Sequence, residues 1–174
     1  MAIKRKLFDV YLTAADLTVQ IFGASQEALK DKNLTLDLTR FLKGKSCEAR
    51  FHIVKKDDKL LGEIFLFSIP QSYIRRLIGH DISIIEDSFV VKCSNGKLRI
   101  KPFLITRNKV HRKVRTELRK QAKEEVESFC TGKTKEEIFN AAINSTIQKI
   151  MSKKLKKVYP LGICELRMVE VLKK

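Results

Sequence analysis

The chain has 174 residues, of which 44% are hydrophobic, so it is long enough and apolar enough to form one domain with a buried core. Its 36 lysines and arginines outnumber its 20 aspartates and glutamates, and the resulting net charge of +16 indicates a polyanionic partner. The longest apolar run has four residues, Ile64–Phe67, and residues 1–9 contain no signal-like apolar segment, so the pattern excludes a membrane-spanning helix and a secretory signal.

Alternating apolar and polar residues predict strands in the first third of the chain. The alternation covers Leu34–Leu38 and, more clearly, Cys47–Ile53. The polar stretch Lys55–Lys59 predicts a turn, and the apolar residues after it predict a strand that runs to Phe67. The N-terminal part of the chain is therefore predicted to be rich in β-structure.

A hairpin is predicted around Asn95 and Gly96, because both residues adopt positive φ at little cost. The turn would join a strand over Ser88–Cys93 to a strand over Leu98–Lys101. Pro102 follows and has no N–H for a sheet ladder, so we expect the second strand to be an edge strand or to carry a bulge there.

Two helices are predicted in the middle of the chain. A short helix runs from Ile69 to Gly79, with Pro70 in its first turn and Gly79 as its C-cap. A long helix runs from Asn108 to Cys130, because apolar residues recur there every four positions. These apolar residues are Val110, Val114, Leu118, Ala122 and Val126.

A third helix is predicted after Thr131 and Gly132, which interrupt the second. Thr134 and Glu137 have the spacing of a capping box, in which each side chain satisfies a backbone N–H at the helix start. The apolar face of this helix would consist of Phe139, Ile143, Ile147 and Ile150.

The chain closes with a predicted strand over Cys164–Val171. Strands followed by helices are typical of an α+β fold, and no linker or low-complexity segment divides the sequence. We therefore predict a single domain over residues 1–174, in which residues 1–6 form a flexible basic tail.

No catalytic, cofactor or metal site is predicted. Gly132-Lys133-Thr134 matches the end of a phosphate-binding loop, but the position five residues before Gly132 is Glu127, and a helix rather than a strand precedes it. We interpret these residues as a helix junction. The four cysteines have no closely spaced pair of the kind that zinc sites use, so we expect reduced thiols, most of them buried.

Acidic pairs occur at Asp57-Asp58 and Glu86-Asp87, and a metal-dependent nuclease would need carboxylates that converge on one cavity. Both pairs lie beside predicted strand ends, where solvated turn charges are common. We interpret them as solvated turn charges.

Positive charge is concentrated in the predicted long helix. Eight of the 17 residues from Arg107 to Lys123 are lysine or arginine, and Glu117 is the one acidic residue among them. On a helical wheel most of these cations fall within an arc of about 160°, largely opposite the apolar row. A cationic face without i,i+4 acidic partners is typical of binding to a nucleic-acid backbone. The candidate residues are Lys109, Arg112, Lys113, Arg115, Arg119, Lys120 and Lys123.

Three smaller basic clusters are further candidates for RNA binding, at the N-terminus, on the short helix and near the end of the third helix. The last cluster has an alternative explanation, because the helix dipole favours lysines at a helix C-terminus. No exposed aromatic pair is predicted, so we expect binding to the RNA backbone without base-specific recognition. The clusters contain Lys4, Arg5, Lys6, Arg75, Arg76, Lys153, Lys154, Lys156 and Lys157.

Several segments carry a resemblance through their order and spacing: Leu34–Leu38, Phe51–Val54, Ser68–Arg76, Val90–Gly96, Val114–Lys120, Val158–Leu161 and Arg167–Lys174. In this order they resemble the S3Ae family, small-subunit ribosomal proteins of archaea and eukaryotes. The likeness covers residues 6–174. The family's opening Trp-Tyr is Leu7-Phe8 here, and the short helix opens with Ser68-Ile69-Pro70 where the family prefers Asp-Leu-Thr. The long charged tails of eukaryotic members are absent, which favours an archaeal-type member.

The resemblance implies an antiparallel, barrel-like sheet formed by the N-terminal two-thirds of the chain, flanked by a short helix and two longer C-terminal helices. It implies a structural protein without enzymatic activity, bound to rRNA on the platform of the small subunit in the cytoplasm, near the rRNA 3′ end and the mRNA exit. Expected partners are small-subunit rRNA, neighbouring platform proteins and mRNA near the exit, with no cofactor, membrane or obligate homo-oligomer. Two alternatives stay open: an enzyme that processes or modifies RNA, and a nucleic-acid-binding protein outside the ribosome.

Overall fold

The computed structural model describes residues 6–40, 42, 45–56 and 59–172, and these residues form one nine-stranded sheet and five helices. The predicted α+β class is confirmed. The strands are β1 (Lys6–Leu12), β2 (Leu17–Gly23), β3 (Asn33–Asp37), β4 (Glu48–Lys56), β5 (Lys59–Ser68), β6 (Ile84–Glu86), β7 (Phe89–Cys93), β8 (Gly96–Thr106) and β9 (Leu161–Leu172). The helices are α1 (Gln26–Leu29), α2 (Gln71–Leu77), α3 (Arg112–Cys130), α4 (Lys135–Ile143) and α5 (Thr146–Leu155).

The sheet is branched, and its described strands do not close into the predicted barrel. Six strands follow the order β2-β1-β5-β9-β8-β6, while β3 and β4 extend from β5, and β7 pairs with β8. One edge of β5 pairs with β4. Its other edge is shared, first with β1 in parallel and then with β9 in antiparallel orientation. Because two different strands pair with the same edge of β5, the sheet branches and does not close into a barrel.

The C-terminal strand β9 lies in the middle of the sheet. It pairs with β8 along almost its whole length and with β5 at Leu66–Ser68. Leu166 and Val169 of β9 are fully buried in consequence. The predicted closing strand is confirmed, and it lies between β5 and β8, where it joins the two halves of a sheet whose other strands come from the N-terminal two-thirds of the chain.

The predicted β7–β8 hairpin is confirmed, and its loop consists of Ser94 and Asn95. Gly96 has a φ of 143°, whereas Asn95 does not take positive φ, so half of the predicted turn geometry is wrong. The predicted bulge in β8 is confirmed, since its register with β9 shifts between Lys101 and Pro102. β7 pairs with the part of β8 before the bulge, and β6 pairs with the part of β8 after the bulge. The single long strand β8 therefore supports both β6 and β7.

The helices are interrupted at more places than the apolar pattern predicts. Pro70 is the N-cap of α2 and not a residue of its first turn, and Ile78 replaces Gly79 as the C-cap. The predicted third helix is two helices, α4 and α5, because Ser145 adopts the left-handed conformation with a φ of 56° and breaks the chain of helical hydrogen bonds.

The break between α4 and α5 changes which side chains reach the core. Phe139, Ile143 and Ile147 are buried as predicted. Ile150 is half-exposed, and its neighbour Met151 is buried instead. α5 begins anew after the break, so the apolar periodicity of α4 does not continue into it.

Large aromatic side chains fill the core, and Phe51, Phe67, Phe103 and Phe139 are all fully buried. They belong to one apolar cluster that also contains the buried residues of α3, α4 and α5. Within the described ranges, no helix is both long enough and apolar enough to cross a membrane. The predicted tail over residues 1–6 lies outside these ranges except for Lys6, which is the first residue of β1.

Candidate nucleic-acid interface

The helix α3 has one buried face and one exposed cationic face. Leu118, Ala122 and Val126 are buried, and the helix packs on β6, β7 and α5. Val110 precedes the helix, and Val114 is half-buried and packs against the edge of the core. The exposed cations of the helix are Arg112, Lys113, Arg119, Lys120 and Lys123.

Arg115 does not lie on the exposed face. Its side chain is half-buried, and its Nε is shielded from solvent without a hydrogen-bond partner. Apolar residues spaced by four drift about 40° around a helix at each step, so Ala122 and Val126 come to lie on either side of the Arg115 direction, about 20° away. The prediction that Arg115 points away from the apolar row is therefore wrong.

Most of the exposed cations on α3 have no acidic partner. Arg112, Lys113, Arg119 and Lys120 have no carboxylate within 4 Å in the part of the chain that is described, whereas Lys123 lies 3.9 Å from Glu127. Exposed ion pairs contribute at most about 1 kcal/mol, so this one leaves the lysine available to a ligand. The exposed face of α3 thus presents a positive electrostatic field that the acidic residues of the helix do not neutralise.

Hydrogen bonds with the segment after α2 fix the start of α3. Thr106, at the end of β8, is fully buried, and its hydroxyl accepts from the Ser83 N–H at 3.0 Å. The Ser83 Oγ in turn accepts from the Val110 N–H at 3.1 Å. This bond holds Val110 in a loop, and α3 begins at Arg112 instead of the predicted Asn108.

The same connection brings further basic residues to the start of α3. Lys109 lies 2.9 Å from Asp81, which belongs to the loop between α2 and β6. Arg75 and Arg76 are exposed in the last turn of α2, a few residues before that loop. Lys109, Arg112, Lys113, Arg119, Lys120 and Lys123 are together called the α3 basic surface below.

The predicted cluster near the end of α5 lies on a different side of α3. Its members Lys153, Lys154, Lys156 and Lys157 are all exposed. Lys154 Nζ is 2.5 Å from a carboxylate oxygen of Glu125 on α3. At 100° per residue Glu125 is about 160° around the helix from Lys123, so the α5 lysines are not a continuation of the α3 basic surface.

The N-terminal cluster is described only in part. Lys6 is exposed at the start of β1, and Lys4 and Arg5 lie outside the described residues. Nothing in the described pairing of β1 with β2 and β5 connects Lys6 to α3.

Three further lysines lie around the β7–β8 hairpin, and the sequence patterns did not single them out. Lys92 and Lys97 are directly opposite each other across the hairpin, and the side chain of Lys135 crosses the turn at Gly96. The Lys92–Lys97 pair could have been found from the predicted two-residue loop, because the loop sets their register. The approach of Lys135 depends on how α4 packs, which no local pattern reveals.

The junction at Gly132-Lys133-Thr134 is a helix cap. The Thr134 hydroxyl accepts from the Glu137 N–H at 3.3 Å, and the Glu137 carboxylate accepts from the Thr134 N–H at 2.9 Å, which confirms the predicted capping box. Lys133 Nζ lies 3.1 Å from the centre of the Phe129 ring, in a cation–π contact. Each of these side chains already has a structural partner.

Burial makes three of the four cysteine thiols poor nucleophiles. It raises the pKa of Cys47 and Cys130 to about 11 and that of Cys164 to about 12. The four cysteines are free, with Cys47 and Cys130 buried and the other two half-buried. Across the described ranges, no group of three or more His, Cys, Asp or Glu side chains is arranged to hold a metal ion.

Of the two acidic pairs, the structure describes Glu86-Asp87, and both of its carboxylates have hydrogen-bond partners. Glu86 accepts from Arg167 at 2.5 Å, and the Arg167 guanidinium also donates to Gln71 at 2.8 Å. Asp87 accepts from the N–H of Ser88 at 2.8 Å. The pair Asp57-Asp58 lies outside the described residues.

A comparison with family models adds the decisive observation, because the model described as the ribosomal S3Ae family matches residues 13–174. The chain belongs to the ribosomal S3Ae family. As a member of this family it is a protein of the small ribosomal subunit, where rRNA and other ribosomal proteins surround it. Direct comparison with curated sequences finds no match. Membership of the S3Ae family explains why a small domain carries a net charge of +16.

Proposed function

We propose that this S3Ae protein is a structural constituent of the small subunit that binds the rRNA backbone through the α3 basic surface. One observation carries the proposal. Arg112, Lys113, Arg119 and Lys120 are exposed on a helix whose other face is buried, and none of them has a carboxylate partner among the described residues. A helix anchored on one side and cationic on the other is suited to lie along a chain of phosphates.

The arginines and lysines have different parts in this contact. The guanidinium groups of Arg112 and Arg119 can each donate two parallel hydrogen bonds to phosphate oxygens, which fixes direction as well as distance. Lys113 and Lys120 act as mobile point charges beside them. Contacts of this kind set position and orientation and do not read base sequence. Specificity for the site would then come from the shape of the folded rRNA.

Other basic residues extend the proposed contact. Arg75 and Arg76 end the helix that leads into the loop of Asp81, the partner of Lys109, and we assign them to the same rRNA segment. The lysines of α5 and of the N-terminus are proposed to bind rRNA separately. The resemblance of the chain to S3Ae proteins supports a place on the platform of the cytoplasmic ribosome, near the rRNA 3′ end and the mRNA exit, beside other platform proteins.

The proposed role includes no chemistry of its own. Glu86, one of the acidic residues that a nuclease could use, is engaged by Arg167. Lys133 and Thr134, which suggested a nucleotide site, contact Phe129 and cap α4. These residues therefore have structural roles, which supports a scaffold in preference to an RNA-modifying enzyme.

Sedimentation tests this function against both alternatives. Lysate from cells that produce a tagged form of the chain is separated on a sucrose gradient, and the tag is quantified against small-subunit rRNA. We expect one copy per mature small subunit. Association only with immature subunits, at well below one copy, would instead indicate a processing or modifying enzyme. Recovery at the top of the gradient would indicate a nucleic-acid-binding protein outside the ribosome.

A further inference from the structure

Two lysines of the β7–β8 hairpin and one lysine of α4 line a single groove. Lys92 and Lys97 are cross-strand partners on the hairpin. A Cβ built on Gly96 would lie 2.9 Å from Cε and 3.0 Å from Nζ of Lys135, so this lysine extends across the backbone of the turn. None of the three lysines has a carboxylate within 4 Å among the described residues. Like charges directly opposite each other destabilise a hairpin, so the Lys92–Lys97 pair needs a reason.

Contacts between the hairpin and the α3–α4 junction hold this arrangement in place. The backbone N–H and the hydroxyl of Ser94 both donate to the Lys133 carbonyl, at 3.1 and 2.9 Å. Lys135 is the first residue of α4, and the positive end of the helix dipole adds to its charge. Glu137, two residues later, is occupied by the Thr134 N–H at 2.9 Å, and Glu136 is exposed to solvent. These bonds fix the backbone of the turn relative to the start of α4, so the positions from which the lysine side chains extend are set.

The three lysines line a groove between the hairpin and the end of β9. Its volume is about 1170 Å³, and its other walls include Ser94, Asn95 and residues 171–172. A smaller cavity of about 280 Å³ adjoins it and shares Lys135 and Val171. This hairpin groove is defined by Lys92–Lys97, Lys135 and residues 171–172, and its volume can accommodate part of an extended polymer chain.

The hairpin groove and the α3 basic surface are separate sites. The 19 residues of α3 span about 28 Å at 1.5 Å per residue, with the α3 basic surface toward the start and Lys135 beyond the end. Glu124, Glu125 and Glu127 lie between them along the helix. These acidic residues interrupt the positive field, so one continuous RNA backbone is not expected to follow the helix from one site to the other.

We propose that the hairpin groove binds the phosphate backbone of a second RNA segment, so that the protein joins two RNA segments across the length of α3. The inference rests on the proposed function at the α3 basic surface. A phosphate chain fits the groove because its repeated negative charges can meet Lys92 and Lys97 on one face of the hairpin and Lys135 on the other. The protein then acts as a brace that holds two parts of a folded RNA at a fixed separation.

The test uses short RNA hairpins of about eight base pairs, one batch labelled with a fluorescence donor and one with an acceptor. Wild-type protein is expected to bind two hairpins per chain and to give energy transfer between the labels. In parallel, amide NMR shifts are followed as unlabelled hairpin is added. We expect one set of shifts over residues 107–123 and a second set over residues 92–97 and around Lys135.

Two charge-matched variants make the result specific. Lys92→Gln/Lys97→Gln/Lys135→Gln keeps the alkyl chains and removes three charges from the groove. It should abolish energy transfer and the second set of NMR shifts while the first set persists. Lys30→Gln/Lys59→Gln/Lys149→Gln removes three exposed charges that do not line the groove, and energy transfer should persist.

The possible failures are distinguishable. Energy transfer that survives the groove variant overturns the hairpin groove as an RNA site. Arg112→Gln/Arg119→Gln/Lys120→Gln should remove only the first set of NMR shifts. If the first set persists in this variant, the proposed function of the α3 basic surface is wrong. That result would not contradict RNA binding in the hairpin groove. Displacement of RNA from the groove by a glutamate-rich peptide at lower concentration than by unlabelled hairpin would overturn the choice of RNA in favour of an acidic protein segment.

Discussion

The buried hydroxyl of Thr106 accepts a hydrogen bond from the Ser83 N–H at 3.0 Å, and this contact ties the end of β8 to the segment that follows α2. The same hydroxyl lies 2.7 Å from the carbonyl oxygen of Asn108. Ser83 then binds the Val110 N–H. A single buried side chain therefore determines where the chain leaves the sheet and where α3 begins, and so where its first arginine is placed.

Replacing this hydroxyl should destabilise the fold. Thr106→Val keeps the shape of the side chain but leaves the Ser83 N–H and the Asn108 carbonyl without their partner, so we expect a loss of about 1–3 kcal/mol in the free energy of unfolding. Thr116→Val is the matched control, because the Thr116 hydroxyl bonds the Arg112 carbonyl on an exposed part of α3. Urea unfolding should show a change within about 0.5 kcal/mol for the control. Equal losses in both variants would contradict the anchoring role of Thr106.

Removing charge from the α3 basic surface should weaken RNA binding without unfolding the protein. In Arg112→Gln/Arg119→Gln/Lys120→Gln, each lost phosphate contact should flatten the slope of log K against log salt by about 0.7–0.9. The melting temperature should stay close to that of the wild type, because all three side chains are exposed. Filter binding to small-subunit rRNA at several salt concentrations measures the slope. An unchanged slope and affinity would show that α3 is only a solvated surface.

The opposite face of the same helix should respond in the opposite way. Leu118 is fully buried, and Leu118→Ala should cost about 2–5 kcal/mol in the free energy of unfolding through lost burial and the cavity it leaves. Under conditions where this variant is still folded, its salt slope for rRNA should equal that of the wild type. A change in slope comparable to that of the charge variant would mean that the two faces do not have separate roles.

The cap of α4 offers a test of the junction that resembles a nucleotide-binding loop. Thr134→Ala removes the hydroxyl that accepts from the Glu137 N–H, and we expect a loss of about 1 kcal/mol in stability. Thr131→Ala is the control, since the exposed Thr131 hydroxyl bonds a helical carbonyl at 2.8 Å and caps no N–H group. Neither ATP nor GTP should shift the melting temperature of the wild type. Saturable nucleotide binding at micromolar concentration would refute the assignment of this junction as a cap only.

Local patterns predicted the elements well where short-range chemistry decides them. The capping box at Thr134 depends on residues three apart, and the hairpin after Cys93 depends on a two-residue turn, so both are readable from the sequence. The break at Ser145 was not predicted, because an apolar spacing of three or four residues on both sides of it is compatible with one continuous helix. The helix propensity of these residues permits one continuous helix, but the tertiary packing of α4 and α5 overrides this propensity.

The arrangement of the sheet and of the charges depends on contacts between distant residues. Alternation in Leu161–Leu172 shows that this segment is a strand but not that it lies between β5 and β8, so the open, branched sheet was missed. The exposed face of α3 was predicted correctly at Arg112 and Arg119 and incorrectly at Arg115, because a helical wheel gives angles and not the direction of the neighbouring sheet. The hairpin groove requires Lys135 to approach Gly96, which only the fold provides.

Stability should fall at high pH because of the buried thiols. Burial raises the pKa of Cys47 and Cys130 to about 11 and that of Cys164 to about 12, above the ordinary value of about 9. Between pH 9 and 11 the unfolded chain loses these protons and the folded chain keeps them, so the unfolded state becomes more favourable as pH rises. Replacing the three cysteines by alanine should reduce the difference in unfolding free energy between pH 8 and pH 10. An unchanged difference would show that other groups cause the alkaline loss.

Arg115 and Arg119 provide a comparison within one helix, since both are arginines a single turn apart and only Arg119 is exposed. Arg119→Met removes a charge from the α3 basic surface, so rRNA affinity should fall and the salt slope should flatten by about 0.7–0.9, with stability unchanged.

In Arg115→Met, an apolar side chain of similar length replaces one whose Nε is shielded from solvent and has no hydrogen-bond partner. Removing a buried donor that has no acceptor relieves its desolvation penalty, so the free energy of unfolding should be equal to or higher than that of the wild type. The salt slope of Arg115→Met should change less than that of Arg119→Met. If the two variants lose the same affinity and slope, Arg115 contacts the phosphate backbone as fully as Arg119, and the buried face of α3 begins later than its packing indicates.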